Sequence, residues 1–251
     1  MVNLSQVKFV FYHIPKCGGT SFREILFEYF LKIYKKEGDI YLPRLYENIN
    51  LERKVIDNLN SKYEKKLKNI KVILSHTQVY EFPELLNDKI FKFTIIRNPI
   101  DRMISHYYFF DFKRYNLKLI DQSDEFINHY SKVYGNFMLR YLNLLENGKI
   151  NIDKIKIFLK NFTVLILEDI DIDNFNKKLN IFFEVDIKLK LKYINKNLNN
   201  KKIELNDQNF INKIKNYFKY DLIFYNIVKE FTKEKEKNDS TIDYILQKYK
   251  N

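Results

Sequence analysis

The segment FYHIPKCGGTSF, residues 11–22, gathers two of the chain's five glycines, its only cysteine, and one each of its four prolines and four histidines. Adjacent glycines let backbone N–H groups approach an anion closely. A helix starting just after them adds unpaired N–H groups and the positive end of its dipole. Lys16 adds a point charge, and Thr20 and Ser21 add hydroxyls. Pro15, Lys16, Cys17, Gly18, Gly19, Thr20 and Ser21 together read as a cradle for a phosphate-type anion. It is not a G-x-x-x-x-G-K-[ST] loop, because the lysine precedes the glycines. A Gly-Gly turn alone could be just a tight connection; a strand, a basic loop and a helix in succession favour the cradle.

A second anion-binding pattern lies in IIRNPIDRMISHYYF, residues 95–109. Arg97 stands where a strand should end, and Ser105 follows about two helical turns later if a helix starts at Pro99. Guanidinium fork and hydroxyl could grip a second phosphate. Read alone, the pair is equally a surface cation and an ordinary helix residue.

Apolar patterning supplies the elements that must hold these residues. Residues 7–12, 69–76, 90–99 and 162–169 are apolar runs of strand length. Helical spacing follows the first loop at Phe22, Ile25, Leu26, Tyr29, Phe30 and Ile33, with Thr20 or Ser21 available as the cap. Residues 38–50 read as irregular and 51–69 as a charged surface helix. Further helices are expected over 122–131, 136–147, 151–160, 172–182, 207–232 and 239–249. Strands separated by helices imply an α/β fold: a P-loop-like open parallel sheet of about four to five strands with helices on both faces. No linker or repeat divides the chain, so a single domain over 1–251 is expected. In such sheets ligands bind beyond the carboxyl ends of the strands. Those ends carry the glycine loop, His76, Arg97 and the pair Glu168–Asp169. Glu168 reads either as a carboxylate supporting the site or as a plain strand end.

Composition bounds the rest. The net charge of +12 suits an anionic partner, or reflects a chain in which Lys, Asn and Ile are abundant throughout. Lysine outnumbers arginine 37 to 7, which makes each arginine more informative, since only arginine offers the planar fork. No run of 18 or more apolar residues appears, so no transmembrane segment is expected. One cysteine allows no internal disulfide and fits a reducing compartment. No His/Cys/Asp cluster has metal-ligand spacing, so no metal is expected.

HIPKCGGTS resembles the 5′-phosphosulfate loop of the membrane-type carbohydrate sulfotransferases, where His-Ile-Pro-Lys-Thr-Gly-Gly-Thr-Ser is typical. FTIIRNPIDRMISHYYF resembles their 3′-phosphate segment, and the heparan sulfate/uronyl 2-O-sulfotransferase branch is the nearest in pattern. SHTQVYEF, residues 75–82, is similar to a segment that carries the catalytic base there, which would be His76. VLILEDIDIDNFNKKL is similar to a later strand and helix, and Asn195–Lys202 falls where a basic cofactor-closing loop would be. The likeness runs over residues 7–230, is most specific at the first two motifs and fades beyond 185. It implies 3′-phosphoadenosine 5′-phosphosulfate (PAPS) as the nucleotide donor, without a metal; the acceptor read first is a carbohydrate or glycolipid hydroxyl, with a protein tyrosine or a small alcohol as the alternatives. Lys16 would then stabilise the leaving oxygen and His76 would take the acceptor's proton. His13, His106 and His129 read as structural groups, His13 orienting the loop. Cys17 departs from the usual threonine, and the absence of an N-terminal anchor leads to the expectation of a cytoplasmic enzyme, possible at a membrane surface only peripherally.

Two other classes compete. A nucleotide kinase or ATPase would share the strand–loop–helix but needs Gly-Lys-Ser/Thr and a magnesium-holding aspartate. A nucleic-acid-binding protein would use the charge but needs clustered cations with exposed aromatics; here the Tyr and Phe residues fall at core-like spacing, so no nucleic-acid partner is expected.

Overall fold

Continuous apolar runs become strands here because the sheet is flanked by helices and its strands need no polar face. The computed structural model describes residues 6–36, 39–41, 70–76, 88–107, 134–189, 208–234 and 237–249. The expected helices at 51–69 and 122–131, the Asn195–Lys202 segment, and His129 lie outside these. The fold is α/β, and its main sheet is ordered β2 (Ile40–Tyr41), β3 (Val72–Ser75), β1 (Phe9–Tyr12), β4 (Phe91–Ile96), β7 (Phe162–Ile166). The chain forms two compact units: residues 1–13, 19–94 and 171–194 in one, and 14–18, 95–170 and 195–251 in the other.

In the first unit, β1 (Phe9–Tyr12) is buried along its whole length. It pairs in parallel with β3 (Val72–Ser75), Phe9 opposite Val72 and Tyr12 opposite Ser75. On its other side it pairs in parallel with β4 (Phe91–Ile96), Phe9 opposite Phe91 and Tyr12 opposite Thr94. Thr94 is fully buried in β4, and its hydroxyl donates to the Tyr12 carbonyl at 2.8 Å. The two-residue edge strand β2 (Ile40–Tyr41) pairs in parallel with β3. It falls in a stretch expected to be irregular, and two residues are too few to show a period of two.

The helix α1 (Gly19–Tyr34) buries Phe22, Leu26, Tyr29 and Phe30, the stripe that a 3.6-residue repeat produces. It starts at Gly19, which corrects the expectation that Thr20 or Ser21 caps it: both lie inside the first turn. Phe9 and Phe30 meet at 4.7 Å between centroids. A later helix of this unit, Ile172–Phe183, begins on the Asp171 side chain, which accepts from Asn174 N–H. It sets Phe175 4.4 Å from Phe93.

The second unit holds the end of β4, then α2 (Pro99–Tyr107) and α3 (Phe137–Tyr141). A hairpin of β5 (Leu145–Glu146) and β6 (Lys149–Ile150) follows, then α4 (Ile152–Asn161) and β7 (Phe162–Ile166). With Ile172–Phe183 as α5, the remaining helices are α6 (Gln208–Tyr217), α7 (Lys219–Lys233) and α8 (Asp239–Gln247). Helix α7 packs against β7, α2, α3 and α8, and α8 packs on α4. No helix among the described residues is long and apolar enough to cross a membrane.

Three expectations are corrected in this unit. The helix expected over 136–147 stops at Tyr141, because Asn143, Asn147 and Gly148 take positive φ angles of 57°, 50° and 73°. Asn-Gly at that point is a hairpin turn. The helix expected over 207–232 breaks at Phe218. There the Asn136 side chain accepts the N–H groups of Tyr220 and Asp221, both at 3.0 Å, which removes them from the helical ladder. In return the buried Asp221 carboxylate accepts from Met138 and Leu139 N–H, at 3.1 and 2.9 Å, at the start of α3. The strand expected over 162–169 ends at Ile166, and Leu167–Asp169 form a 3₁₀ turn.

Candidate functional site

The loop after β1 divides its residues by burial. Ile14 and Cys17 are fully buried and anchor it, while Pro15, Lys16 and Gly18 are half-buried. Cys17 N–H closes a turn on the Ile14 carbonyl at 3.3 Å. Lys16 and Gly18 both take left-handed conformations, φ 68° and 78°. Left-handed residues in a tight turn are the backbone that curls N–H groups into an anion-binding concavity. A lysine held there carries strain of about 1–2 kcal/mol, which the buried neighbours on either side must hold in place. Gly18 has a second constraint: a Cβ there would lie 2.5 Å from Leu167 Cδ1. The turn that replaces the end of β7 therefore packs on the glycine loop.

Arg97 belongs to the same unit, directly after β4. Its Nη1–H donates to the Lys16 carbonyl at 3.4 Å. Its Nε lies 3.8 Å from Glu168 Oε1. That distance makes an ion pair but no hydrogen bond, and among the described residues Nε has no acceptor although it is buried. Buried donors rarely stay unpaired, so this N–H suits an anionic ligand. Glu168 also accepts from Asn98 N–H at 3.1 Å and from the Tyr225 hydroxyl at 3.3 Å. It is thus tied to Arg97, to the start of α2 and to α7, and is more than a strand end. Asn98 caps α2: its side-chain oxygen accepts from Ile100 and Asp101 N–H at 3.0 and 3.4 Å. Pro99 takes the first helical position, and Ser105 is half-buried within the helix.

Cations dominate the ground beneath the loop. Arg102 is completely buried; its guanidinium stacks 4.3 Å from the Phe137 ring and donates one bond to the Tyr134 carbonyl at 3.4 Å. Among the described residues its Nε and Nη1 have no acceptor. Burial pushes the Cys17 thiol up to about 12, with Arg102 and Arg97 pulling down and Glu168 and Asp221 pushing up. The side chain at the position where threonine is usual is therefore an inert buried thiol. Burial, then the charges of Arg102 and Lys16, push the His106 imidazole down to about 3. Arg102 was open to discovery from sequence as one of only seven arginines.

In the other unit, His76 follows β3 directly and is partly buried. Its Nδ1 lies 2.7 Å from the His13 carbonyl. A carbonyl only accepts, so Nδ1 carries the proton and the neutral ring keeps its lone pair on Nε2. Burial lowers the His76 pKa, opposed by that hydrogen bond and aided by the Arg23 charge. The His13 and His76 rings stack at 4.1 Å. Gly19 answers to the same histidine: a Cβ there would sit 2.0 Å from His13 Cδ2. Thr20 and Ser21 are half-buried in the first turn of α1.

The sequence-derived residues therefore fall into two groups. Pro15, Lys16, Cys17, Gly18, Arg97 and Ser105 share one unit, and Gly19, Thr20, Ser21 and His76 share the other. No cluster of three or more His, Cys, Asp or Glu side chains able to hold a metal occurs among the described residues. No curated protein matches the chain. The family model described as "Sulfotransferase family" matches residues 2–249. A match over nearly the whole length, through the glycine loop, Arg97 and His76 alike, means that the chain belongs to the sulfotransferase family and is a sulfotransferase.

Proposed function

We propose that the protein moves the sulfuryl group of PAPS to a sugar hydroxyl of a polysaccharide or glycolipid, with His76 as general base. The reading follows the heparan sulfate/uronyl 2-O-sulfotransferase branch and takes residues 1–251 as one catalytic domain. The observation that carries it is the bond from His76 Nδ1–H to the His13 carbonyl, which leaves Nε2 free of a proton in the neutral ring. The backbone from Pro15 to Gly19, with Lys16, Thr20 and Ser21, would hold the 5′-phosphosulfate; Arg97 and Ser105 would hold the 3′-phosphate. PAPS supplies the activated sulfuryl group when bound. The Arg97 Nε–H, which has no acceptor among the described residues, and the left-handed backbone at Lys16 and Gly18 fit such an anion.

His76 Nε2 takes the proton of the acceptor hydroxyl, and the Lys16 ammonium offsets charge growing on the leaving oxygen. The positive charge is thus already in place when the bond to sulfur breaks, and no water need reorganise. A reducing, cytoplasmic setting agrees with a free, buried Cys17.

The test is labelled PAPS offered with a panel of glycans to the wild type, His76→Ala and Lys16→Ala. Transfer to a glycan should fall about 10²–10⁴-fold in His76→Ala, with affinity for the product nucleotide unchanged. Lys16→Ala should lose both transfer and affinity. A folded His76→Ala that transfers at the wild-type rate sinks the base assignment; Glu81, outside the described residues, and Glu168 then become the candidates.

A further inference from the structure

The rings of Phe11, His13 and His76 form a column. Phe11 and His13 stack at 5.3 Å with planes 10° apart, and His13 and His76 at 4.1 Å with planes 26° apart. His13 is buried, and its ring fills the space that a side chain at Gly19 would need. It is therefore held on one side by Phe11 and at its edge by the start of α1. The same residue supplies the carbonyl that fixes the His76 tautomer. His13 thus touches His76 twice, through a ring face and through the backbone, and the two contacts restrict different motions. The hydrogen bond sets which nitrogen carries the proton, and the stack stops the ring from rotating out of that bond.

We propose that His13 is a positioning residue that keeps His76 protonated on Nδ1 and shielded from water, so that Nε2 is the basic nitrogen at neutral pH. This rests on the reading of His76 as the base. The titratable and charged groups that face His76 among the described residues are His13, at the end of β1, and Arg23, on α1. Arg23 and burial both disfavour the imidazolium, and the carbonyl favours it, with burial the largest effect. Removing the His13 ring would admit water to one face of His76 and weaken that largest effect.

The test is imidazole ¹⁵N spectroscopy of His76 across pH in the wild type, His13→Ala and His13→Phe, beside the pH profile of sulfate transfer. The wild type should show the Nδ1–H tautomer and a titration midpoint below the ordinary histidine value. His13→Ala should mix the tautomers, raise the midpoint and move the acid limb of kcat to higher pH. It should also lower kcat about tenfold, as a loosened base would, with KM unchanged. His13→Phe keeps the stack and the carbonyl and should restore all of these. An Nε2–H tautomer in the wild type overturns the proposal whatever the variants do. So does a folded His13→Ala whose His76 tautomer and midpoint match the wild type. If His13→Ala shifts the His76 spectrum while His76→Ala transfers at the wild-type rate, the positioning stands and the base reading fails.

Discussion

Gly19→Ala should destabilise the protein although the position is helical and its backbone suits alanine. A Cβ at Gly19 would meet His13 Cδ2 at 2.0 Å, Nε2 at 2.3 Å and Cγ at 2.8 Å. All three atoms belong to one rigid ring, so no rotation of a flexible chain end relieves the contact. The ring in turn stacks on Phe11 at 5.3 Å and on His76 at 4.1 Å, so it moves only by disturbing its neighbours. Overpacking of this kind costs about 1–3 kcal/mol. Replacing glycine by alanine in a helix returns up to about 1 kcal/mol, less in a first turn. A net loss of about 1–2 kcal/mol remains. Gly148 is the control: a Cβ there meets nothing within 4 Å among the described residues, but its φ of 73° imposes backbone strain alone. Gly148→Ala should cost about 1 kcal/mol and leave the His76 spectrum untouched, whereas Gly19→Ala should shift it. Urea unfolding with unchanged m-values reads the stability difference. Gly19→Ala at wild-type stability, with wild-type His76 resonances, would refute the packing argument.

Arg97→Lys keeps the charge but loses the fork and the Nε–H, so affinity for 3′-phosphoadenosine 5′-phosphate should fall by about 1–3 kcal/mol; calorimetry showing no change removes Arg97 from the site. The wild type should be stabilised far more by that nucleotide than by ATP at equal concentration, since ATP lacks a 3′-phosphate; equal shifts in Tm argue against two phosphate sites. His106 is held at about 3 in the fold against about 6.5 unfolded. Below pH 6.5 the unfolded chain therefore binds the extra proton, and His106 costs stability as pH falls, about 1.4 kcal/mol per unit until its folded value is reached. Burial raises Asp221 to about 6, which acts in the opposite sense between that value and its unfolded one. The effect is accordingly read as a difference: His106→Phe should gain about 2 kcal/mol on the wild type between pH 6.5 and 5, and a constant difference in urea midpoint contradicts it. Cys17, buried with its thiol pushed up to about 12, should resist thiol reagents in the fold and react fully in denaturant; rapid native labelling would show the loop to be open.

Where the sequence speaks through a long apolar run, the structure agrees with it. Residues 7–12, 69–76 and 90–99 contain β1, β3 and β4, because strands buried on both faces leave an unbroken signal. Arg97 and His76 could be placed at strand ends for the same reason. The break at Phe218 comes from a contact made far away in the chain. Asn136 takes two amides of α7 across 84 and 85 residues, and nothing near Phe218 announces a break. The hairpin at Asn147-Gly148 was locally legible, as Asn-Gly is a strong turn signal, yet the helical spacing around it masked it. Within the candidate site, Gly18 and Gly19 are legible as a pair, but their reasons differ. Gly18 answers to a left-handed φ and to Leu167; Gly19 answers to the His13 ring. That distinction lives in packing, as does the burial of Cys17, and neither has a pattern in the residues around it.

Asn136 and Asp221 have a further consequence for how the second unit comes apart. Each side chain satisfies the amides at the start of the other's helix. Helix α3, Phe137–Tyr141, is far too short to persist alone, and α7 would lose the cap on its first turn. Neither can fray at that end without stranding donors or a buried carboxylate in the other. The two segments therefore melt as one cooperative block. Substitutions at the two positions would not add: once either has gone, the second has little left to break.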